Sequence, residues 1–200
     1  MQEKLNKRKL VYSTTERVIS GLSDNMDSSR TKAMLSRLRN SVGRPLKENI
    51  EAISLIYRYM PEEFYSNFGE LTYEEEAIIT TLQLYAIHQQ SKQDSVSGKQ
   101  EKEVWDNIGS SFSYLRLGEN SLPFDRRFNA LITSQSFDEL STHLRQLIKI
   151  LKSKQDDIKI NYPKLAQDLY DFARGYDERV RLNWSRAYYS KNYKGEENEK

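Results

Sequence analysis

Apolar positions recur every three or four residues along nearly the whole chain. Leu46, Ile50, Ile53 and Tyr57 are spaced 4, 3 and 4, which places them on one face of a helix. Leu140, Leu144, Leu147, Ile148 and Leu151 repeat the pattern. So do Leu165, Leu169, Phe172, Tyr176, Val180 and Trp184, with Ala187 continuing the stripe. Ser13–Glu16, Thr72–Glu75 and Ser136–Glu139 all read S/T-x-x-E, the capping box that opens a helix. The first of these also fits inside one longer helix.

Asp27 is placed to cap a helix running to Asn40, with Gly43 and Pro45 to stop it. Pro45 then opens a helix that ends at Pro61, and Pro163 opens the last one. A weaker helix is expected around Trp105–Leu117 and a short one over "FDRRFNALI". No run alternates apolar and polar residues as a half-buried strand would. The pattern predicts an all-α protein, a helical bundle made of two packed helical subdomains. Residues 89–103 are polar and without apolar period, so they are expected to be a mobile loop. That loop separates an N-terminal subdomain, 1–94, from a C-terminal one, 95–200, and the tail 195–200 is expected to be disordered.

Composition narrows the chemistry. There is no cysteine among the 200 residues, which excludes disulfides, zinc–thiolate sites and cysteine nucleophiles. The start, "MQEKLNKRKLVY", lacks the apolar core of a signal peptide. The most apolar window, 77–87, is too short to cross a bilayer. A soluble, cytoplasmic protein with no membrane partner is therefore expected. Net charge is only +2, but it is unevenly spread. Residues 1–47 hold eleven Lys/Arg against four Asp/Glu, while 48–76 hold one arginine against eight acids. A chain so divided can offer a basic surface to an anion and an acidic one to other proteins.

Nothing points to catalysis. His88 and His143 each stand alone on a predicted helix, without a metal-ligand partner at i+4. No P-loop, dinucleotide fingerprint or nucleophile elbow is present. Acid pairs such as Asp156–Asp157 are consecutive and splay around a helix rather than converge. The expectation is a protein without enzymatic activity, metal or cofactor.

The arginines carry more information. Arg30 and Arg37 fall on one shoulder of the stripe Thr31, Met34, Leu35, Leu38, while Lys32 and Arg39 fall on the other. Members of each pair are seven residues apart, so they stack about 10 Å along one line. Arg44 follows closely. In the last helix Arg179 and Arg186 stack the same way, with Arg174 and Arg181 on the far side. Arg126, Arg127 and Arg145 complete the set. Such arginines either lay their stems over the edge of a core with the charge in water, or rim a groove and contact phosphates without reading sequence. Both readings stand at this point. The tyrosines lie mostly on core stripes and are assigned to packing.

Several ordered motifs resemble the CasB family, the small subunit of the type I-E CRISPR surveillance complex called Cascade. Arg126, Arg127, Phe128, Leu131 and Ile132 match its RRF–LL helix. Glu139, Leu140, His143, Leu144, Arg145, Leu147 and Ile148 match the next helix. Tyr162, Leu165, Asp168, Leu169 and Tyr170 match its Y–L–DLY segment. Val180, Arg181, Trp184, Arg186, Tyr188 and Tyr189 match its closing VR–W–R–YY. "MLSRLRNSVGRP" and "YAIHQQ" resemble earlier family segments. Phe112–Ser113 replace the family's Leu-Gly, and Ser185 follows Trp184 where Gly or Ala is usual.

The resemblance implies a non-catalytic subunit present in two copies, lying against the backbone and large subunits of Cascade. It would contact crRNA and target DNA through their backbones and stabilise the R-loop by giving the displaced strand a basic path. The candidate nucleic-acid-binding residues are Arg37, Arg39, Arg44, Arg126, Arg127, Arg145, Arg179, Arg181 and Arg186. Two other readings remain: a helical scaffold or adaptor making only protein contacts and, ranked last, a dimeric regulator on duplex DNA, for which no helix-turn-helix is seen.

Overall fold

A computed structural model describes residues 6–43, 50–66, 68–98, 106–117, 120–155 and 157–190. Within them the elements are α1 (Lys7–Ser23), α2 (Ser29–Ser41), α3 (Ile50–Tyr57), α4 (Tyr73–Gln89), α5 (Ile108–Ser113), α6 (Leu122–Ile132), α7 (Phe137–Lys154), α8 (Tyr162–Ala173) and α9 (Asp177–Tyr189). Short 3-10 turns occupy Glu62–Phe64 and Tyr114–Arg116. Arg44, Pro45, Leu46, Trp105, residues 99–103 and the tail 195–200 lie outside the described residues.

Helix starts follow local chemistry. Thr72 Oγ1 accepts from the Glu75 amide (3.2 Å) while Glu75 Oε2 accepts from the Thr72 amide (2.8 Å), a complete capping box. Ser136 Oγ accepts from the Glu139 amide, and the Glu139 carboxylate turns back to the Gln135 amide instead. Ser28, one residue after the expected Asp27, caps α2 by accepting from the Thr31 amide. Ser13 caps nothing: α1 runs straight through it, and its hydroxyl donates to the Leu10 carbonyl. Continuous burial of Val11, Thr14, Thr15, Val18 and Ile19 outweighs the local stop signal.

The most apolar segment becomes the centre. Residues 77–79, 81–82 and 84–89 of α4 are buried on every side, as expected of a helix that is apolar all round. It packs on α1, α2, α7 and α8, and α8 also packs on α1. The α5–α9 pair and the α6–α7 pair complete the bundle. One hydrophobic cluster runs from Val11 to Tyr188 through both halves of the chain.

Residues 89–98 differ from the expected mobile loop. The buried Gln89 amide donates to the Lys92 and Asp94 carbonyls and accepts from the Val96 amide. Val96 is itself buried, and Ser97 forms a parallel bridge with Ile160. A polar side chain inside the core holds this turn, and apolar periodicity is blind to such a bond.

Buried Asp168 and half-buried Asp125 tie the last helices together. Asp168 Oδ2 accepts from the Trp184 indole (2.8 Å), and Asp125 Oδ1 accepts from Arg116 Nε (2.8 Å) and the Tyr188 hydroxyl (2.9 Å). Tyr188 stacks flat on Phe128, with ring centroids 3.7 Å apart. Gly109 sits where a Cβ would stand 2.2 Å from the Trp184 carbonyl oxygen, so α5 can approach α9 only through glycine.

Candidate nucleic-acid interface

The structure divides the candidate arginines by what they touch. Arg181 is committed to the fold. Its guanidinium donates to the Ile132 carbonyl (3.0 Å) and the Ser134 carbonyl (2.6 Å), pairs with Asp177 (3.1 Å), and lies over the Phe172 ring. It thereby satisfies carbonyls left open where α6 ends. Arg179 pairs with the buried Asp171 carboxylate at 2.9 Å, the same oxygen that accepts from Arg8 at 2.8 Å. Its side chain is 56% exposed. Arg127 is exposed but returns one bond to the Pro123 carbonyl.

Arg186 and Arg126 are exposed and have no side-chain hydrogen bond or ion pair among the described residues. Of the Arg179–Arg186 line, only Arg186 therefore keeps its full charge available. Arg37 is exposed on α2, about 200° around the helix from Arg39. Arg44 lies outside the described residues.

A second group of cations converges from distant parts of the chain. Arg39 lies near the end of α2, Lys152 on α7 and Lys92 in the turn after α4. Burial, then the charges of Arg39 and Lys92, hold the Lys152 ammonium below its ordinary pKa. Burial also lowers the Arg39 guanidinium. His88, fully buried beneath them, is held down to about 4 by burial and then by Lys92 and Lys152. Its Nδ1 shares a hydrogen bond with the Tyr162 hydroxyl (3.1 Å).

Arg145 extends this ridge. Its guanidinium stands 4.0 Å from where a Cβ on Gly43 would be, just past α2. Arg145, Lys149 and Lys152 are spaced 4 and 3 on α7 and so share one side of that helix. Lys152 Nζ also reaches the Ile87 carbonyl (3.4 Å) and Gln90 Oε1 (3.3 Å) at the end of α4, where the helix dipole favours a cation.

Lys92, Lys149 and Lys152 were absent from the residues singled out in the sequence. The signal was present, since Arg145 and Lys152 obey the same seven-residue spacing as Arg179 and Arg186. The influence of Arg39 and Lys92 on Lys152, however, depends on how α2 and α4 fold against α7. Among the described residues, no group of three or more His, Asp or Glu could hold a metal ion, and no helix is long and apolar enough to cross a membrane.

Known proteins place the chain. It is 25% identical to CasB from Thermobifida fusca, whose crystal structure matches with a TM-score of 0.71 over 90% of this chain and 97% of that one. M. ruber CasB is 23% identical, with a TM-score of 0.70 over 93% and 98% of the two chains. A chain of a CRISPR RNA-guided surveillance complex, 17% identical, shares the fold with a TM-score of 0.66 over 92% and 98%. No curated protein matches. The family model for CRISPR-associated protein Cse2 matches residues 34–189, and the chain belongs to that family.

Proposed function

We propose that this chain is a non-catalytic subunit of a type I-E CRISPR surveillance complex, Cascade. In this reading it contacts crRNA and target DNA through their phosphates and stabilises the R-loop. The observation that carries the reading is the convergence of Arg39, Lys92 and Lys152 from three separate segments. Like charges brought together by folding reduce stability. A polyanion laid along the ridge relieves that repulsion and gains affinity by counterion release. The chain of a surveillance complex that shares this fold supports placement in such an assembly.

Arg39 and Arg145, joined by Lys92, Lys149 and Lys152, form the proposed main track, and Arg126 and Arg186 are proposed as separate phosphate contacts. Arg37, Arg44 and Arg127 stay in the proposed set from their sequence pattern. Arg179 and Arg181 are proposed as residues that hold the fold first, with only the exposed part of Arg179 able to meet a phosphate. R-loop formation is close to balanced, so a few such contacts suffice to tip it. Partners in this reading are the backbone and large subunits and a second copy of the chain.

The test is fluorescence anisotropy with a labelled single-stranded oligonucleotide, comparing wild type with Arg39→Glu/Arg145→Glu/Arg186→Glu. Wild type is expected to bind irrespective of sequence and to release on adding salt, and the variant to lose binding while staying folded. An adaptor making only protein contacts predicts no retention even at low salt.

A further inference from the structure

We propose that the exposed aromatic face around Tyr57, Tyr65, Phe68 and Leu71 is a protein-docking surface, whose partner is a cationic segment presenting Lys or Arg beside an apolar anchor. Tyr57 and Tyr65 meet edge to face, 5.5 Å apart at 88°. The Tyr65 hydroxyl donates to the Tyr57 and Met60 carbonyls (3.1 and 3.3 Å), which fixes that ring in place. With Gly69, Leu71 and Glu75 these rings line an open, apolar-walled cavity of about 450 Å³. Beside it Phe68 is 91% exposed and Tyr73 54%. Apolar residues clustered this way, on a chain that buries its other phenylalanines fully or in part, mark an interaction site.

Charge selects the occupant. Glu62, Glu63 and Glu70 around the face are exposed and have no ion-pair partner among the described residues. The nearby cations are Arg58 and Arg174, with Lys7 and Arg8 paired to Glu74 and Asp171. The three glutamates outweigh the two arginines, so the face favours a cation over a phosphate. A Lys or Arg fits: its methylene stem lies over the tyrosine edges while the cation reaches a glutamate. The Glu75 carboxylate is already occupied by the Thr72 amide and hydroxyl, so the rim glutamates carry the recognition. An apolar neighbour in the partner would cover Phe68. This face shares no residue with the basic ridge, although Leu71 also lines a cavity with Gly43, beside Arg145. The proposal rests on the assembly reading only for its choice of probe.

The probe is the set of protein subunits of the surveillance complex encoded with this chain, co-expressed and captured through an affinity tag on it. Phe68→Ala/Glu70→Lys is expected to lower recovery of the partner by about tenfold or more. Its isolated Tm and single-stranded DNA affinity should match wild type. A photo-crosslinking phenylalanine analogue in place of Phe68 should join to a partner peptide containing Lys or Arg. Normal recovery of partners by the variant overturns the proposal, as does a crosslink to nucleic acid or to a second copy of this chain. Failure of the wild-type chain to recover any partner overturns it together with the assembly reading. Loss of DNA binding in ridge variants that still recover partners leaves it standing.

Discussion

Arg39 and Lys152 stand 113 positions apart in sequence, yet after burial it is the Arg39 charge that most holds the Lys152 ammonium below its ordinary pKa. Their approach follows from α2 and α7 both packing on the buried α4. A cation whose pKa is lowered by its surroundings is less stable when charged. The pair therefore works against folding and in favour of binding an anion.

Lys152→Gln should separate those two effects. Removing the charge is expected to raise Tm by a few °C at low salt and to weaken single-stranded DNA binding by about three- to tenfold. The gain in Tm should shrink in 0.5 M salt, because screening weakens the repulsion from Arg39 and Lys92 but not the cost of burial. Differential scanning fluorimetry at two salt concentrations, paired with anisotropy, reads both.

His88 predicts a window of acid sensitivity. Its folded pKa, about 4, lies below its ordinary value of 6.5. Between these values the unfolded chain takes up the proton and the folded chain does not. Its contribution to stability is therefore complete above pH 6.5 and is lost as pH falls towards 4. The loss is about 2–3 kcal/mol by pH 4.5. His88→Gln should flatten urea-unfolding stability across that range, relative to wild type, even if it lowers stability at pH 7.5.

Arg181 and Arg186, five residues apart on α9, should behave as opposites. Arg181→Lys cannot reproduce the fork to the Ile132 and Ser134 carbonyls and is expected to cost about 1–3 kcal/mol. Arg186→Glu should leave stability within about 0.5 kcal/mol and weaken DNA binding. Denaturant unfolding and anisotropy on the two variants check the contrast.

Gly109→Ala tests the close approach of α5 to α9. A Cβ there would meet the Trp184 carbonyl at 2.2 Å, against backbone that cannot swing away. A loss of about 1–3 kcal/mol or more is expected, visible as a lowered Tm and weaker near-UV circular dichroism from Trp184.

Much of the helical architecture was legible because apolar spacing and caps reflect local physics, but the single last helix expected from Pro163 is broken at Gly175 (φ +82°) into α8 and α9. Thr72–Glu75 formed the box its sequence spells, whereas Ser13–Glu16 did not, because tertiary burial of α1 overrode it. The bonds of Gln89 were invisible, since a buried amide satisfying its own turn leaves no periodic trace. For the arginines, helical geometry gave direction but no partners. The sequence separates Arg181 from Arg186 only by the side of the stripe they take, and both lie in the closing VR–W–R–YY segment. Only the packing of α6 against α9 shows that one of them caps a helix end. For Lys152 the converse holds: its spacing from Arg145 is visible in the sequence, but its neighbours come from other helices.

The most direct measurement is the salt dependence of single-stranded DNA binding for wild type and for Arg39→Glu/Arg145→Glu/Lys149→Glu. Each phosphate contact contributes about 0.7 to the slope of log K against log salt. The variant is expected to stay folded, bind at least about tenfold more weakly at low salt, and lose about 2 from that slope. A folded variant that binds with wild-type affinity and slope, or a wild-type chain that retains no DNA at low salt, would contradict the basic ridge as a phosphate track.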